Sequence, residues 1–201
     1  MNITLNTNDC IPAVSGDVFS KLSTEEVFVD TCFMLSQDYD FIEKFYKPVK
    51  EWNHNNPTSK IHIYITSATH FELEKKTRHM ETGLSDRARE VLKVIDDDRF
   101  EKEGVFQLYN LHGEGNFGEG TFFDKEILCI AVKSTSSISV LTRDKKLSAD
   151  LLSFNGLRSV TQKQISVLTV DPSAEGLGLY AYGENDSNKN VVNTHVEFEL
   201  Y

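Results

Sequence analysis

Short apolar runs and longer amphipathic stretches alternate along the middle of this chain, and that alternation leaves few folds open. VFV (Val27–Val29) is wholly apolar, IHIYIT (Ile61–Thr66) sets Ile61, Ile63 and Ile65 against His62 and Tyr64, and ISVLT gives a third run ending at Thr142. A short run with no polar position, such as VFV, suits a strand covered on both faces, as in a parallel sheet. Between these runs lie helical patterns. Phe41, Ile42, Phe45 and Tyr46 recur at helical spacing up to Pro48, and NHNNPTSK reads as the loop after them. Ser67 opens a helix carrying FELEKK. Ser85–Phe100 places Ala88, Val91, Leu92 and Ile95 on one side, a third helix begins near Asp124, and Lys146–Ser153 forms another. Strands alternating with helices predict an α/β fold, a three-layer α/β/α sandwich around a mainly parallel central sheet.

The ends of the chain read differently. Residues 1–20 are rich in Asn, Thr, Pro and Gly with little periodicity and read as an irregular arm. LRSVT is a further strand candidate. From about 171, GLGLYAYG and NVVNTHVEFELY alternate apolar and polar positions and are joined by ENDSNKN, which reads as a β-hairpin-like C-terminal extension. The organisation expected is an arm (1–20), a central domain (21–170) and an extension (171–201).

Bulk composition narrows the classes. Hydrophobic residues make up 39% and charged residues 26%, which is ordinary for a folded domain. No apolar run approaches the ~20 residues that span a bilayer, so no membrane association is expected. The first residues lack a basic start followed by an apolar core, and the three cysteines (Cys10, Cys32, Cys129) are odd in number and scattered. A reducing, cytoplasmic setting is therefore expected, without disulfides or a zinc knuckle. The net charge of -10 argues against a charge-driven nucleic-acid coat protein, which would be basic. It leaves room for an enzyme that meets nucleic acid through a metal site.

Acids fall where strands end or helices begin. Asp30 directly follows VFV, Glu72 lies early in the helix after IHIYIT, Asp124 stands at the start of the third helix, and Asp144 follows ISVLT in VLTRD. In an open parallel sheet, ligands bind beyond the carboxyl ends of the strands. A helix running back and a strand returning would bring Asp124 and Asp144 to the same edge. Grouped carboxylates repel one another, so a cation is the natural complement. Oxygen ligands suit Mg²⁺ or Mn²⁺, which can activate water and clamp the oxygens of a phosphodiester displacement. GEGNFGEG is not a phosphate cradle, since it lacks the following Lys-Ser/Thr of a P-loop and no apolar strand clearly feeds it. A phosphotransfer enzyme would carry a second Asp two positions after Asp30, where this chain has Cys32.

Each acid also has a plain reading. Asp30, Asp124 and Asp144 are all suited to turns or helix caps. Glu72 and Glu74 compete for one role, and either can pair with a neighbouring base. Cys32 and Cys129 read as packed apolar residues rather than nucleophiles.

VFVDTCFML, ITSATHFELEKK, FFDKEILCIAVK and ISVLTRDKKL, in that order, resemble the PIN-domain family of metal-dependent nucleases over roughly residues 25–165. The resemblance implies that Asp30, Glu72, Asp124 and Asp144 bind Mg²⁺ or Mn²⁺ and carry catalysis. It implies that Thr31 and Thr142 orient them. Lys125 and Arg143 are placed to meet substrate phosphate, and Lys75, Lys76, Arg78, Arg87 and Arg89 offer an RNA track. The expected function is a metal-dependent endonuclease acting on RNA, with single-stranded DNA left open. The alternative is a catalytically inactive PIN-like module that docks a protein or RNA partner. An antitoxin-like inhibitor and a homodimer are further partners the resemblance allows.

Overall fold

The computed structural model describes residues 10–12, 15–101, 104–109, 123–157, 164–171 and 176–180. Its sheet contains β1 (Cys10–Pro12), β2 (Glu26–Val29), β3 (Ile63–Thr66), β4 (Phe106–Tyr109), β5 (Ile138–Leu141), β6 (Ile165–Asp171) and β7 (Gly176–Tyr180), in the order β1-β7-β6-β5-β2-β3-β4. The five strands β6-β5-β2-β3-β4 are parallel, and β7 and β1 continue the sheet antiparallel beyond β6. The helices are α1 (Ser15–Leu22), α2 (Thr31–Met34), α3 (Lys47–Asn55), α4 (Ser67–Lys76), α5 (Thr82–Asp98), α6 (Phe123–Lys133) and α7 (Lys145–Ser153). Among the described residues, no helix is long and apolar enough to cross a membrane.

Two cores explain the apolar strands. Val27 and Val29 of β2 pack with α1 to α5 on one face of the sheet, while Phe28 packs with α6 and α7 on the other. All three are fully buried. Central strands β5 and β6 divide their side chains in the same way, with Val140 and Val167 on the Phe28 side and Leu141 and Leu168 on the opposite side. The result is the α/β/α sandwich that the alternation predicts.

Several local readings need correction. Pro48 does not end its helix. A wide π-helical turn, Ile42–Tyr46, leads straight into α3, with Pro48 in its first turn. A prolyl nitrogen has no hydrogen to offer the carbonyl four residues back. Here that carbonyl, on Lys44, accepts the Tyr39 hydroxyl instead, at 3.2 Å. NHNNPTSK begins inside α3, and buried Asn53 exchanges two hydrogen bonds with the backbone of Ile61, at 2.7 and 2.8 Å.

The N-terminal arm is not wholly irregular. Residues 10–12 form β1 and residues 15–22 form α1. β1 pairs with β7 across most of the sequence, a partner that local periodicity cannot reveal. In the tail, GLGLY is β7 and pairs with β6 and β1, so it extends the main sheet. The segments ENDSNKN and NVVNTHVEFELY, like most of LRSVT, lie outside the described residues. The Gly-rich segment 113–120 also lies outside them. β4 is an edge strand with Gln107 and Leu108 exposed, which is why its sequence shows no buried pattern.

Gly104 and Asp98 fasten α5 to β4. Buried Asp98 accepts the Tyr46 hydroxyl at 2.6 Å and the Phe106 amide at 2.8 Å. Burial, together with the bond to Asp98, pushes the Tyr46 phenol up to about 12. A Cβ on Gly104 would lie 2.2 Å from the Asp98 carbonyl oxygen, so only glycine fits there.

Candidate metal centre

The chain leaves β2 for β3 and β4 on one side, then crosses back to β5 and β6 on the other. β2 and β5 are therefore adjacent parallel strands whose connections diverge, and the crevice beyond their carboxyl ends is where such a sheet binds ligands. Asp30 ends β2 there, and Thr142, Arg143 and Asp144 follow β5.

Asp30 is 6% exposed and caps the short helix α2. Its Oδ2 accepts the Thr142 hydroxyl and the Cys32 thiol, both at 2.7 Å, and its Oδ1 accepts the Cys32 amide at 3.4 Å. Burial raises its pKa above the usual carboxylate value, and the charge of Glu72 raises it further. Thr142, fully buried, also accepts the Asp144 amide at 3.0 Å, so one hydroxyl positions two of the acids. Asp144 caps α7, its Oδ1 accepting the amides of Lys146 at 2.7 Å and Leu147 at 2.9 Å.

Asp124 occupies the first turn of α6. Burial raises its pKa, and the charges of Asp144 and Glu72 add to the rise, while Lys146 opposes it. Glu72 on α4 has Lys76 at 4.0 Å, whereas Glu74 faces His70 at 3.6 Å. The charge of Glu72 is felt at both Asp30 and Asp124, which joins it to the acid group. The four acids form a coupled chain: Asp30 to Glu72, Glu72 to Asp124, and Asp124 to Asp144.

Two supporting residues differ from the reading of the sequence. Thr31 is buried and its Oγ1 has no hydrogen-bond partner, so it does not orient an acid. As the first residue of α2 it turns inward, and Cys32 takes that role. Cys32 is therefore not a packed apolar residue. It reaches the surface, its thiol donates to Asp30, and its sulfur accepts the Arg143 amide at 3.2 Å. Burial of the sulfur and the charge of Asp30 push the thiol up to about 12, so it remains a donor.

Arg143 is not free for phosphate as expected. Its guanidinium grips Asp38 with both terminal nitrogens, Nη2 to Oδ2 at 3.0 Å, and also reaches Ser36. The Arg143 bonds, joined by the Ser36 hydroxyl donating to Asp38 Oδ1 at 2.7 Å, hold the Asp38 carboxyl down to about 2. Arg143 thus latches the turn after α2 to the end of β5, where it lines a surface hollow with Cys32, Leu35 and Asp38. Lys125 is exposed. Arg89 is engaged by Asp86 at 2.7 Å and the Thr77 carbonyl at 3.0 Å.

Glu126 is a positioning residue the sequence reading passed over. It is 4% exposed and accepts the Ala68 amide at 2.9 Å, tying α6 to the first turn of α4. Those two helices carry Asp124 and Glu72. The signal was present in FDKEILCIAVK, where Glu126 shares the buried face with Phe123, Ile127 and Ile130. A charge on an apolar face is the informative exception.

The donor set is all oxygen and carries excess negative charge, as the raised Asp30 and Asp124 record. Among the described residues, no three His, Cys, Asp or Glu side chains approach closely enough to grip one ion together. Oxygen donors are the kind that Mg²⁺ or Mn²⁺ takes, and Mg²⁺ keeps several waters while binding one or two carboxylates directly. No protein-family model matches this chain, and no characterised protein matches it in sequence.

Proposed function

We propose that this chain is a PIN-like, divalent-metal-dependent endonuclease that hydrolyses phosphodiester bonds in RNA. One observation carries the reading. Asp30, Glu72, Asp124 and Asp144 come from β2, α4, α6 and the end of β5, and their charges act on one another at the sheet's switch point. A fold that collects like charges there, with Arg143 committed to Asp38, is arranged for a cation.

Mg²⁺ or Mn²⁺ would supply Lewis acidity, activation of a water and charge neutralisation at the phosphate. Asp144 and Asp124 are the acids best placed to hold the ion, because α7 fixes Asp144 through Oδ1 and the charges of Asp144 and Asp124 act on each other. Asp30, fixed by Thr142 and Cys32, orients waters around it. Glu72, half-exposed on α4, is the candidate proton acceptor. RNA is the substrate class that the resemblance to PIN domains implies.

Replacing Asp124 or Asp144 with Asn is expected to abolish cleavage of a structured RNA while far-UV circular dichroism stays unchanged. Unchanged cleavage by both folded variants would refute the reading. A second reading, an inactive module of the same fold that docks a partner, is favoured by the absence of a three-ligand group among the described residues. It requires RNA or protein binding with no metal-dependent turnover.

A further inference from the structure

A cleft of about 150 Å³ lies between the segment following α2 and the first half of α5. Met34, Ser36, Asp40 and Phe41 line one side, and Arg87 and Glu90 the other. It begins one short helix from Asp30, since α2 spans only Thr31–Met34, about 6 Å of rise. Ser36 and Gln37 also line a second hollow, walled by Cys32, Asp38 and Arg143, so those two spaces adjoin.

Arg87 is the unusual member. Its Nε and Nη2 are shielded from solvent and have no hydrogen-bond partner. Buried donors without partners are rare and call for an explanation, such as a missing ion or ligand. These two nitrogens are also the pair whose N–H bonds point the same way along one edge of the guanidinium. That edge is the fork that grips two oxygens of a phosphate or carboxylate. The remaining nitrogen, Nη1, is the one nearest Gly83.

We propose that the Arg87 cleft is a subsite for one nucleotide of single-stranded RNA, with a backbone phosphate on the Arg87 fork. The choice of ligand rests on the nuclease reading. Asp40 and Glu90 would repel a bare anion, but they can accept N–H or O–H donors from a base or ribose. Met34 and Phe41 give the cleft an apolar side for a base. A ligand offering phosphate, polar donors and an apolar ring together is a nucleotide. The Oδ1 of Asp40 already accepts the amides of Ile42 and Glu43, at 3.1 Å each, which fixes the acid at the rim.

The test is binding of a fluorescently labelled single-stranded RNA decamer, read by anisotropy in chelator so that nothing is cut. Wild type, Arg87→Gln and Arg87→Lys are compared at one salt concentration. Arg87→Gln is expected to weaken binding about tenfold or more. Arg87→Lys keeps the charge without the fork and is expected to recover only part of the loss. Both should melt with the wild type, because the two nitrogens they alter hold nothing in the fold. Equal binding by wild type and Arg87→Gln overturns the proposal. So does a wild type that binds no RNA, which would leave the fork to a carboxylate of a protein partner. Cleavage is measured separately with Mn²⁺. Arg87-dependent binding without cleavage keeps the subsite and removes the nuclease reading, and cleavage with Arg87-independent binding does the reverse.

Discussion

Thr142→Val gives the sharpest test of how the acids are held. Valine matches threonine in shape, so the change removes one fully buried hydroxyl and little else. That hydroxyl donates to the Asp30 carboxylate at 2.7 Å and accepts the Asp144 amide at 3.0 Å. A hydrogen bond to a charged group contributes about 1.5–3 kcal/mol and a neutral one about 0.5–1.5 kcal/mol. The expected loss is therefore about 2–4 kcal/mol, a fall of about 1 M or more in the urea midpoint. The loss should be larger at pH 8 than at pH 5, because the ionised Asp30 needs the donor most. Thr142→Ser keeps the hydroxyl and should recover most of the difference. Thr31→Val is the internal comparison: its buried hydroxyl has no partner, so stability should change by less than about 0.5 kcal/mol or rise slightly. Urea unfolding of the four proteins in chelator decides the matter. Equal midpoints for the two valine variants would refute the assignment of Thr142 as the bridge.

Other outcomes follow from the same geometry. Asp30 and Asp124 have raised pKa values, so the stability they contribute is complete at low pH and is lost as pH rises through those values. In chelator, the melting temperature of wild type should therefore fall relative to Asp30→Asn between pH 4 and pH 8, and a flat difference would contradict the raised pKa. Saturating Mn²⁺ should reverse that loss. At a hundred times its dissociation constant it adds about 2.7 kcal/mol, or about 5–10 °C for a chain of this size, and Asp124→Asn should show much less. Gly104→Ala should destabilise by about 2 kcal/mol or more through its clash with the Asp98 carbonyl, measurable by urea unfolding. Arg143→Ala should raise the Asp38 carboxyl from about 2 toward the ordinary range in an NMR titration, the Ser36 hydroxyl keeping part of the lowering, with little effect on stability because the pair is partly exposed.

What could be read from the sequence was local. VFVD revealed itself because a strand buried on both faces has no polar position, so the acid that ends it stands out. Asp124 and Asp144 were visible as acids at helix starts, and α6 and α7 begin beside them. Features set by distant partners were hidden. Arg143 meets Asp38 across more than a hundred residues, and nothing near Arg143 announces that pairing. β1 depends on β7 in the same way. Pro48 misled because a tertiary contact, Tyr39 on the Lys44 carbonyl, removes the usual cost of proline in a helix. Cys32 misled because cysteine is usually packed as an apolar residue, and only the fold shows its thiol resting on a carboxylate. Glu126 was legible in principle, as a charge on the apolar face of α6.

The central claim is that the acids at the switch point hold a divalent ion. Calorimetric titration of Mn²⁺ into the wild type and Asp124→Asn, both shown to be folded, addresses it most directly. Saturable binding by the wild type, weakened at least tenfold in the variant, is the expected result. No saturable binding, or equal binding by the two proteins, would contradict it.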